Sequence, residues 1–292
     1  MPTPPTGPVV VLTGATSGLG CLAALDLAAR GAHLILPARD PDRAQATVDA
    51  VRARNPSART EVVEVDLTRL HQVRAAGRRI AQQHEHVDVL VNNAGVHAFT
   101  PRTTVDGLPQ MVAVNYLAPW VLTQALLPAL RRSAAARVVT VASEASRRHG
   151  TLSLPDDLTD LSPFTARGSS PRYGKTKLLD IMFTLELAER LRGTSVVANC
   201  LDPGFNVTGL GRDLRLARPL ELLLTRLRIG DPRRGAGLIV HLATHPSYGN
   251  VSGRYVTVRG PREITPAAPA DDPAARRRLW NVTEELLHER VP

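Results

Sequence analysis

The stretch Val9-Val10-Val11-Leu12-Thr13-Gly14-Ala15-Thr16-Ser17-Gly18-Leu19-Gly20-Cys21-Leu22-Ala23-Ala24-Leu25-Asp26-Leu27-Ala28 decides how this chain reads. Four apolar strand formers run into a glycine-rich turn, and small and apolar residues at helical spacing follow it. Glycines at 14, 18 and 20 let the main chain turn sharply and approach a phosphate closely. The helix start beyond them offers unpaired N–H groups and the positive end of a dipole. Set between strand and helix, the turn reads as a seat for the pyrophosphate of a dinucleotide, with Gly14, Thr16, Ser17, Gly18, Leu19 and Gly20 as the contacting residues.

Outward from that unit the alternation repeats. Apolar runs at 33–36, 61–65, 87–91, 137–141 and 195–200 are separated by helical patterns at 42–54, 70–84, 111–131 and, last, 173–192. This predicts an α/β chain: a single doubly wound Rossmann-type domain over 1–292, with a parallel sheet of about seven strands and helices on both faces. Residues 1–8 read as a flexible N-terminus and 206–230 as a lid over the substrate. The Pro/Ala-rich stretch 261–273 reads as an irregular tail segment, followed by a helix that packs back on the domain or on a second subunit.

Composition excludes several classes. The 292 residues carry a net charge of +9 and are 43% hydrophobic, enough to bury a large core. No uninterrupted apolar run approaches the ~18 residues of a membrane span. Cys21 and Cys200 are too few for a disulfide scaffold and lack metal-ligand spacing, so a reducing, cytoplasmic setting is expected. The basic residues are dispersed and aromatics make up only 3% of the chain, which argues against nucleic acid as a partner. His241 and His245 have i, i+4 spacing but no acidic third ligand nearby, so they read as a helix-face pair and no metal is expected.

Of 36 basic residues only Lys175 and Lys177 are lysine. The pattern Tyr173-x3-Lys177 on a helix puts a phenol and an ammonium one turn apart on one face. A phenol titrates near pH ~10, and a neighbouring cation favours its ionised form. A compact ammonium also reaches ribose hydroxyls in a way that a planar guanidinium does not. Lys175 points elsewhere by helical spacing and reads as a surface charge.

The spacing Gly-x3-Gly-x-Gly at 14–20 resembles the short-chain dehydrogenase/reductase family, and later segments repeat the likeness in order: Asn92-Asn93-Ala94-Gly95, Asn115, Ser143 and Tyr173-x3-Lys177. The runs 138–143, 183–191 and 279–282 look like the retinol dehydrogenase and protochlorophyllide reductase branch, here without the N-terminal membrane anchor usual in the retinol enzymes. The resemblance implies that Tyr173 is the general acid in reduction and base in oxidation, that Ser143 hydrogen-bonds the reacting oxygen, and that Asn115 holds a water linking Lys177 to solvent. It implies cofactor contacts from Asn93, Ala94 and Gly95. Asp66, with Leu67, resembles the adenine contact, and helix capping is its alternative. Pro203, Gly204, Asn206 and Thr208 resemble the nicotinamide-amide segment, although Asn206-Val207 departs from the usual order.

Cofactor choice falls just beyond the second strand. Ala38 stands where an acid would select NAD, Arg39 follows, and Asp40 comes one residue late, which predicts NADP(H) unless Asp40 folds back. The leucine- and arginine-rich stretch 210–229 reads as a lid, with a membrane-surface helix as the alternative. A leucine-rich cover implies a small hydrophobic substrate, and His97, Phe99, Glu144 and His149 are candidate pocket groups. Relatives form homodimers or homotetramers through the helices around Asn115 and Tyr173. Three functions stay open: an NADP(H)-dependent oxidoreductase, the same fold doing cyclisation, isomerisation or elimination, and a catalytically silent nucleotide binder.

Overall fold

The computed structural model describes residues 7–204, 231–258 and 262–291. Strand β1 (Val9–Leu12) lies inside the sheet with every residue buried. It pairs in parallel with β2 (His33–Ala38) through Val10↔Leu34 and with β4 (Val89–Asn92) through Val10↔Val89. β3 (Thr60–Glu64), β5 (Ala136–Val141), β6 (Val196–Asp202), β7 (Tyr255–Thr257) and β8 (Arg262–Glu263) complete the order β3-β2-β1-β4-β5-β6-β7-β8. Because β2 and β4 flank β1 on opposite sides, the strand order reverses there and opens a crevice at the carboxyl ends of β1 and β4.

The pleat sorts the apolar residues into two cores. Val9 and Val11 face a layer made by α3 (Leu70–Gln83), α4 (Gln110–Leu130), α5 (Ala166–Arg190) and α7 (Pro273–Arg290). Val10 and Leu12 face α1 (Gly18–Ala29), α2 (Pro41–Arg54) and α6 (Pro232–Thr244). A strand buried on both faces has no polar side to alternate with, which is why β1 reads as an unbroken apolar run.

The architecture is the expected one, and three details add to it. The sheet has eight strands among the described residues, because β8 adds an antiparallel edge inside the segment expected to be irregular. Too short to show a pattern, β8 is held across from β7 by Val256↔Glu263 pairing and by an Arg254–Glu263 ion pair of 2.8 Å. Helix α5 begins at Ala166, well before the expected 173. Gly168, Ser169, Ser170 and Pro171 are poor helix formers, yet one local bond and one tertiary contact hold the turn: Ser169 Oγ donates to Ala166 O at 2.7 Å and lies 3.1 Å from His97 Nε2. Finally, α4 is long and apolar enough by length and composition to cross a membrane, but 78% of its apolar window is buried within the fold. The lid at 206–230, the bulk of the N-terminal segment and the 210–229 surface-helix reading lie on or mostly on residues outside those described.

Helix α7 packs back on its own domain. Trp280 stacks on Phe183 of α5 with ring centroids 6.0 Å apart and meets Trp120 of α4 at 5.4 Å. Thr283 Oγ1 lies 2.7 Å from the Tyr116 hydroxyl. Part of the surface of α4 and α5 is thus covered by the chain's own C-terminal helix, with Trp280 as its apolar anchor.

Candidate active site

The glycine turn is locked to the end of β4. Thr13 Oγ1 accepts hydrogen bonds from the main-chain N–H groups of Asn93 and Ala94 at 3.0 and 3.1 Å. Asn93 Nδ2 donates to Thr13 O and Gly14 O. Gly14 has φ +68°, and a Cβ on Gly20 would sit 2.2 Å from Gly14 O and 2.6 Å from Asn93 Nδ2, so neither position admits a side chain. The turn delivers residues 14–17 to the start of α1, whose first turn carries no acidic residue to offset its positive end. Thr16, Ser17, Gly18 and Leu19 form this same helix start and are half-buried, with Leu19 packed against the second core. A tight glycine turn running into the unpaired N–H groups of a helix start with no acidic residue in its first turn suits a dinucleotide phosphate.

At the end of β2, Ala38 is buried and Arg39 and Asp40 are exposed. Asp40 does not fold back: it is the N-cap of α2, and its Oδ1 accepts from Arg43 N at 3.1 Å. Asp66 Oδ1 accepts from both the N–H and the hydroxyl of Thr68, at 2.9 and 2.8 Å, in a local turn. The cap position of α3 belongs to Arg69, and the Leu70 N–H is taken by Asp106 Oδ2 at 3.1 Å, a partner 36 residues away. Leu67 packs against the first core.

Asn115 sits in a π-helical turn, Ala113–Leu117, within α4 and is 1% exposed. Its Oδ1 accepts from Val96 N at 2.7 Å, and its Nδ2 donates to Val96 O and Thr176 Oγ1, both at 2.9 Å. One amide thereby ties the Asn93-Ala94-Gly95 loop to α5, and π turns of this kind recur at functional sites. A Cβ on Gly95 would lie 3.6 Å from Asn115 Oδ1 and 3.7 Å from Lys177 Nζ, so loop, amide and ammonium converge.

On α5, Tyr173 and Lys177 share a face, with the ammonium 5.9 Å from the phenol ring centroid. Lys177 is buried; Nζ donates to Val141 O at 2.9 Å and to Asp180 Oδ2 at 2.8 Å. Ser143 ends the β5 segment as N-cap of a 3-10 turn, and its Oγ accepts from Ala145 N at 3.1 Å. Its hydroxyl proton stays available to donate elsewhere. This turn lies directly on α5, since a Cβ on Gly174 would sit 2.6 Å from Ala145 O. The structure therefore brings Asn115, Ser143, Tyr173 and Lys177 together at the carboxyl edge of β4 and β5.

The electrostatics differ from the simple pair expected. Burial pushes the Tyr173 phenol up; Lys177 pulls it down, but Asp180 and Asp202 add to the rise, and the net direction is upward. Burial lowers Lys177, yet Asp180 and Tyr173 outweigh it and the ammonium is favoured. The stacking partner of Tyr173 is His97, with centroids 4.6 Å apart and planes at 15°, and burial lowers the imidazole below its ordinary value. Phe99 also packs on His97, with ring centroids 4.7 Å apart.

Other candidates resolve differently. Glu144 is engaged with Arg147 at 2.9 Å and with the Tyr255 hydroxyl at 3.3 Å, so it serves the framework of the Ser143 turn rather than a pocket. His149 is half-buried, and its Nδ1 has no protein partner among the described residues. Lys175 is not a free surface charge: it pairs with the largely buried Asp157. Asn206 and Thr208 lie outside the described residues, and of their segment Pro203 and Gly204 are placed at the end of β6.

Residues that sequence reading passed over are Thr176, Asp180 and Asp202. Asp202 accepts from Glu144 N at 3.0 Å and from Thr257 Oγ1 at 3.3 Å, joining the Ser143 turn to the end of β6. Burial raises its carboxyl. A buried acid in an apolar run was the available signal for both aspartates. At the opposite end of the sheet, Glu61 receives His33 Nε2 at 2.7 Å and His84 Nε2 at 3.2 Å, one ring on each oxygen, strapping β2 and β3 to the end of α3. A groove of about 690 Å³ also lies at that end, lined by Ala135, Val196, Asn250 and Gly253, and none of the four convergent residues lines it.

The short chain dehydrogenase family model matches residues 8–154. Retinol dehydrogenase 14 from Mus musculus is 35% identical over 294 residues, covering 96% of this chain and 86% of the relative. Polyprenol dehydrogenase from Mus musculus is 36% identical over 284 residues, covering 95% and 83%. Among solved structures, an uncharacterised protein from Mycobacterium paratuberculosis aligns with a TM-score of 0.75 at 30% identity, covering 98% of this chain and 95% of its own.

Proposed function

The chain belongs to the short chain dehydrogenase family of nicotinamide-dependent oxidoreductases, and from that premise we propose that it interconverts a carbonyl and an alcohol on a hydrophobic small molecule, with NADP(H) as cofactor and Tyr173 as acid and base. The observation that carries the reading is the placement of the Tyr173 phenol and the Lys177 ammonium on one face of α5, beside the Ser143 turn and the glycine cradle.

The bound nicotinamide supplies or accepts the hydride, and the protein positions it and manages the proton. Gly14 to Gly20 would hold the pyrophosphate at the start of α1, and the Asn93 to Gly95 loop packed against that turn would contact the cofactor as well. Ser143, whose oxygen already accepts from Ala145, donates its proton to the reacting oxygen. Tyr173 gives its proton to that oxygen in reduction and takes it back in oxidation. Lys177 favours the phenolate form, and its one donor not committed to Val141 and Asp180 would reach a ribose hydroxyl. Asn115 keeps the loop and α5 in register through Val96 and Thr176, and a water for proton exchange would use its remaining acceptor capacity.

NADP(H) is favoured because the position that would repel a 2′-phosphate is Ala38, the next residue is an exposed arginine, and Asp40 is occupied as a helix cap. A hydrophobic substrate is favoured by Phe99 and the neutral His97 beside Tyr173 and by the retinol and polyprenol enzymes among the relatives. We place the protein in the cytoplasm, working on a free small molecule.

The test follows nicotinamide absorbance with a panel of apolar ketones and alcohols. Tyr173→Phe is expected to lose about 10²- to 10⁴-fold in turnover while still binding the nucleotide. Full activity in that variant refutes the proton role.

A further inference from the structure

We propose that Asp180 is a positioning residue for the Tyr173–Lys177 pair: its carboxylate anchors the ammonium from behind and offsets part of the charge that the ammonium presents to the phenol. This rests on Tyr173 being the acid and base of the site. Asp180 stands in the most apolar part of α5, with Leu178, Leu179, Ile181, Met182 and Phe183 around it in sequence, all 0–1% exposed. It is itself 1% exposed, and its Oδ1 has no hydrogen-bond partner among the described residues. Its Oδ2 receives Lys177 Nζ at 2.8 Å.

A buried carboxylate with one unsatisfied oxygen is an expensive way to pack a helix, and an apolar residue would be cheaper on its own. What the carboxylate does satisfy is Lys177. The ammonium is held between two fixed acceptors, Val141 O on β5 and Asp180 Oδ2 one turn along α5, which leaves its remaining donor for the side where Tyr173 and Gly95 lie. The same contact places a negative charge behind the positive one, so the phenol meets an ion pair rather than a lone cation.

The surrounding charges fit this arrangement. Burial pushes Asp180 up to about 6, so above that pH it is anionic. From β6 it faces Cys200, which burial pushes far above its ordinary value, while Asp202, farther along β6, adds a second negative influence on Tyr173. From the π turn it faces Tyr116, also raised by burial. On the loop after β4, His97 stacks against Tyr173 and is held toward its neutral form. Around neutrality and above, Lys177 is therefore the one cation of this cluster among the described residues, and Asp180 is its direct counter-ion.

The experiment is Asp180→Asn, which keeps the shape and an acceptor for Nζ but removes the charge. Phenolate formation by Tyr173 is followed by ultraviolet difference absorbance, with Tyr173→Phe as reference, in the protein alone and with NADP+ added. In parallel, the pH profile of kcat/KM for alcohol oxidation is recorded. The Tyr173 midpoint and the profile's ascending limb are both expected to move to lower pH by about half a unit or more, a roughly threefold gain in rate on that limb. An unchanged midpoint in a folded Asp180→Asn protein, or a loss of rate with no displacement of the profile, overturns the proposal and leaves Asp180 a purely structural counter-ion. Should that variant fail to fold, the double change Lys177→Met with Asp180→Leu removes the pair as a unit. A midpoint within about one unit of the parent supports the offset, and a much larger rise refutes it. The phenolate titration requires no substrate, so absence of turnover with every alcohol tested would count against the oxidoreductase reading while still deciding the role of Asp180.

Discussion

At the residue scale the site is built from side chains that already have partners. Asn115 spends its amide on Val96 and Thr176, Ser143 accepts from Ala145, and Lys177 is held by Val141 and Asp180. Each is pinned in one orientation before any substrate arrives, which is what positioning of a reacting oxygen within hydrogen-bond reach requires. Arg39 is the contrasting case, an exposed arginine at the carboxyl end of β2. Its proposed phosphate contact is a charge-assisted hydrogen bond worth about 1.5–3 kcal/mol. Arg39→Ala is accordingly expected to raise KM for NADPH by about ten- to hundredfold and to leave that for NADH nearly unchanged. Equal losses with both cofactors would remove Arg39 from cofactor selection.

At the element scale, tight backbone approach sets which glycines matter. Gly20 belongs to the first turn of α1, and its hydrogen faces Gly14 O and Asn93 Nδ2 at distances no methyl group tolerates. Gly20→Ala must push the turn away from β4, so it is expected to cost about 1–3 kcal/mol and to abolish nucleotide binding measured by fluorescence titration. Gly237 in α6 gives the opposite result. Nothing lies within 4 Å of a Cβ there, and Gly237→Ala is expected to stabilise by about 0.5–1 kcal/mol in urea denaturation. Strands were legible as unbroken apolar runs wherever burial was two-sided, as in β1 and β5. Elements were misread where a tertiary contact overrode propensity: the first turns of α5 contain Gly168, Ser169 and Pro171 yet are helical because Ser169 is tied to Ala166 and His97.

For the whole molecule, α7 is the element that closes the fold on the α4 and α5 side. Trp280 joins Trp120 and Phe183 in one aromatic group and carries Arg190 over its ring at 4.3 Å. Trp280→Ala opens a cavity between three helices and is expected to destabilise by about 3–5 kcal/mol, read as a fall in thermal midpoint. If this covered face is what keeps copies apart, light scattering should show the parent as a smaller species than the variant. An unchanged thermal midpoint would mean that α7 adds little to the core.

The sequence by itself determined the doubly wound class, the succession of strands along the chain through β6 and the glycine turn, because two-sided burial and local turn chemistry leave their marks on neighbouring residues, while Asn115, Ser143, Tyr173 and Lys177 were singled out by motif and by resemblance. Only the tertiary structure decided that β8 pairs with β7, that His97 stacks on Tyr173 and that Asp180 is buried against Lys177. The first two depend on a partner distant along the chain, and a two-residue strand or a lone ring carries no periodic signal of it. Lys177 is only three residues from Asp180, but whether that acid lies buried on the ammonium or turns to solvent is set by the elements packed around α5.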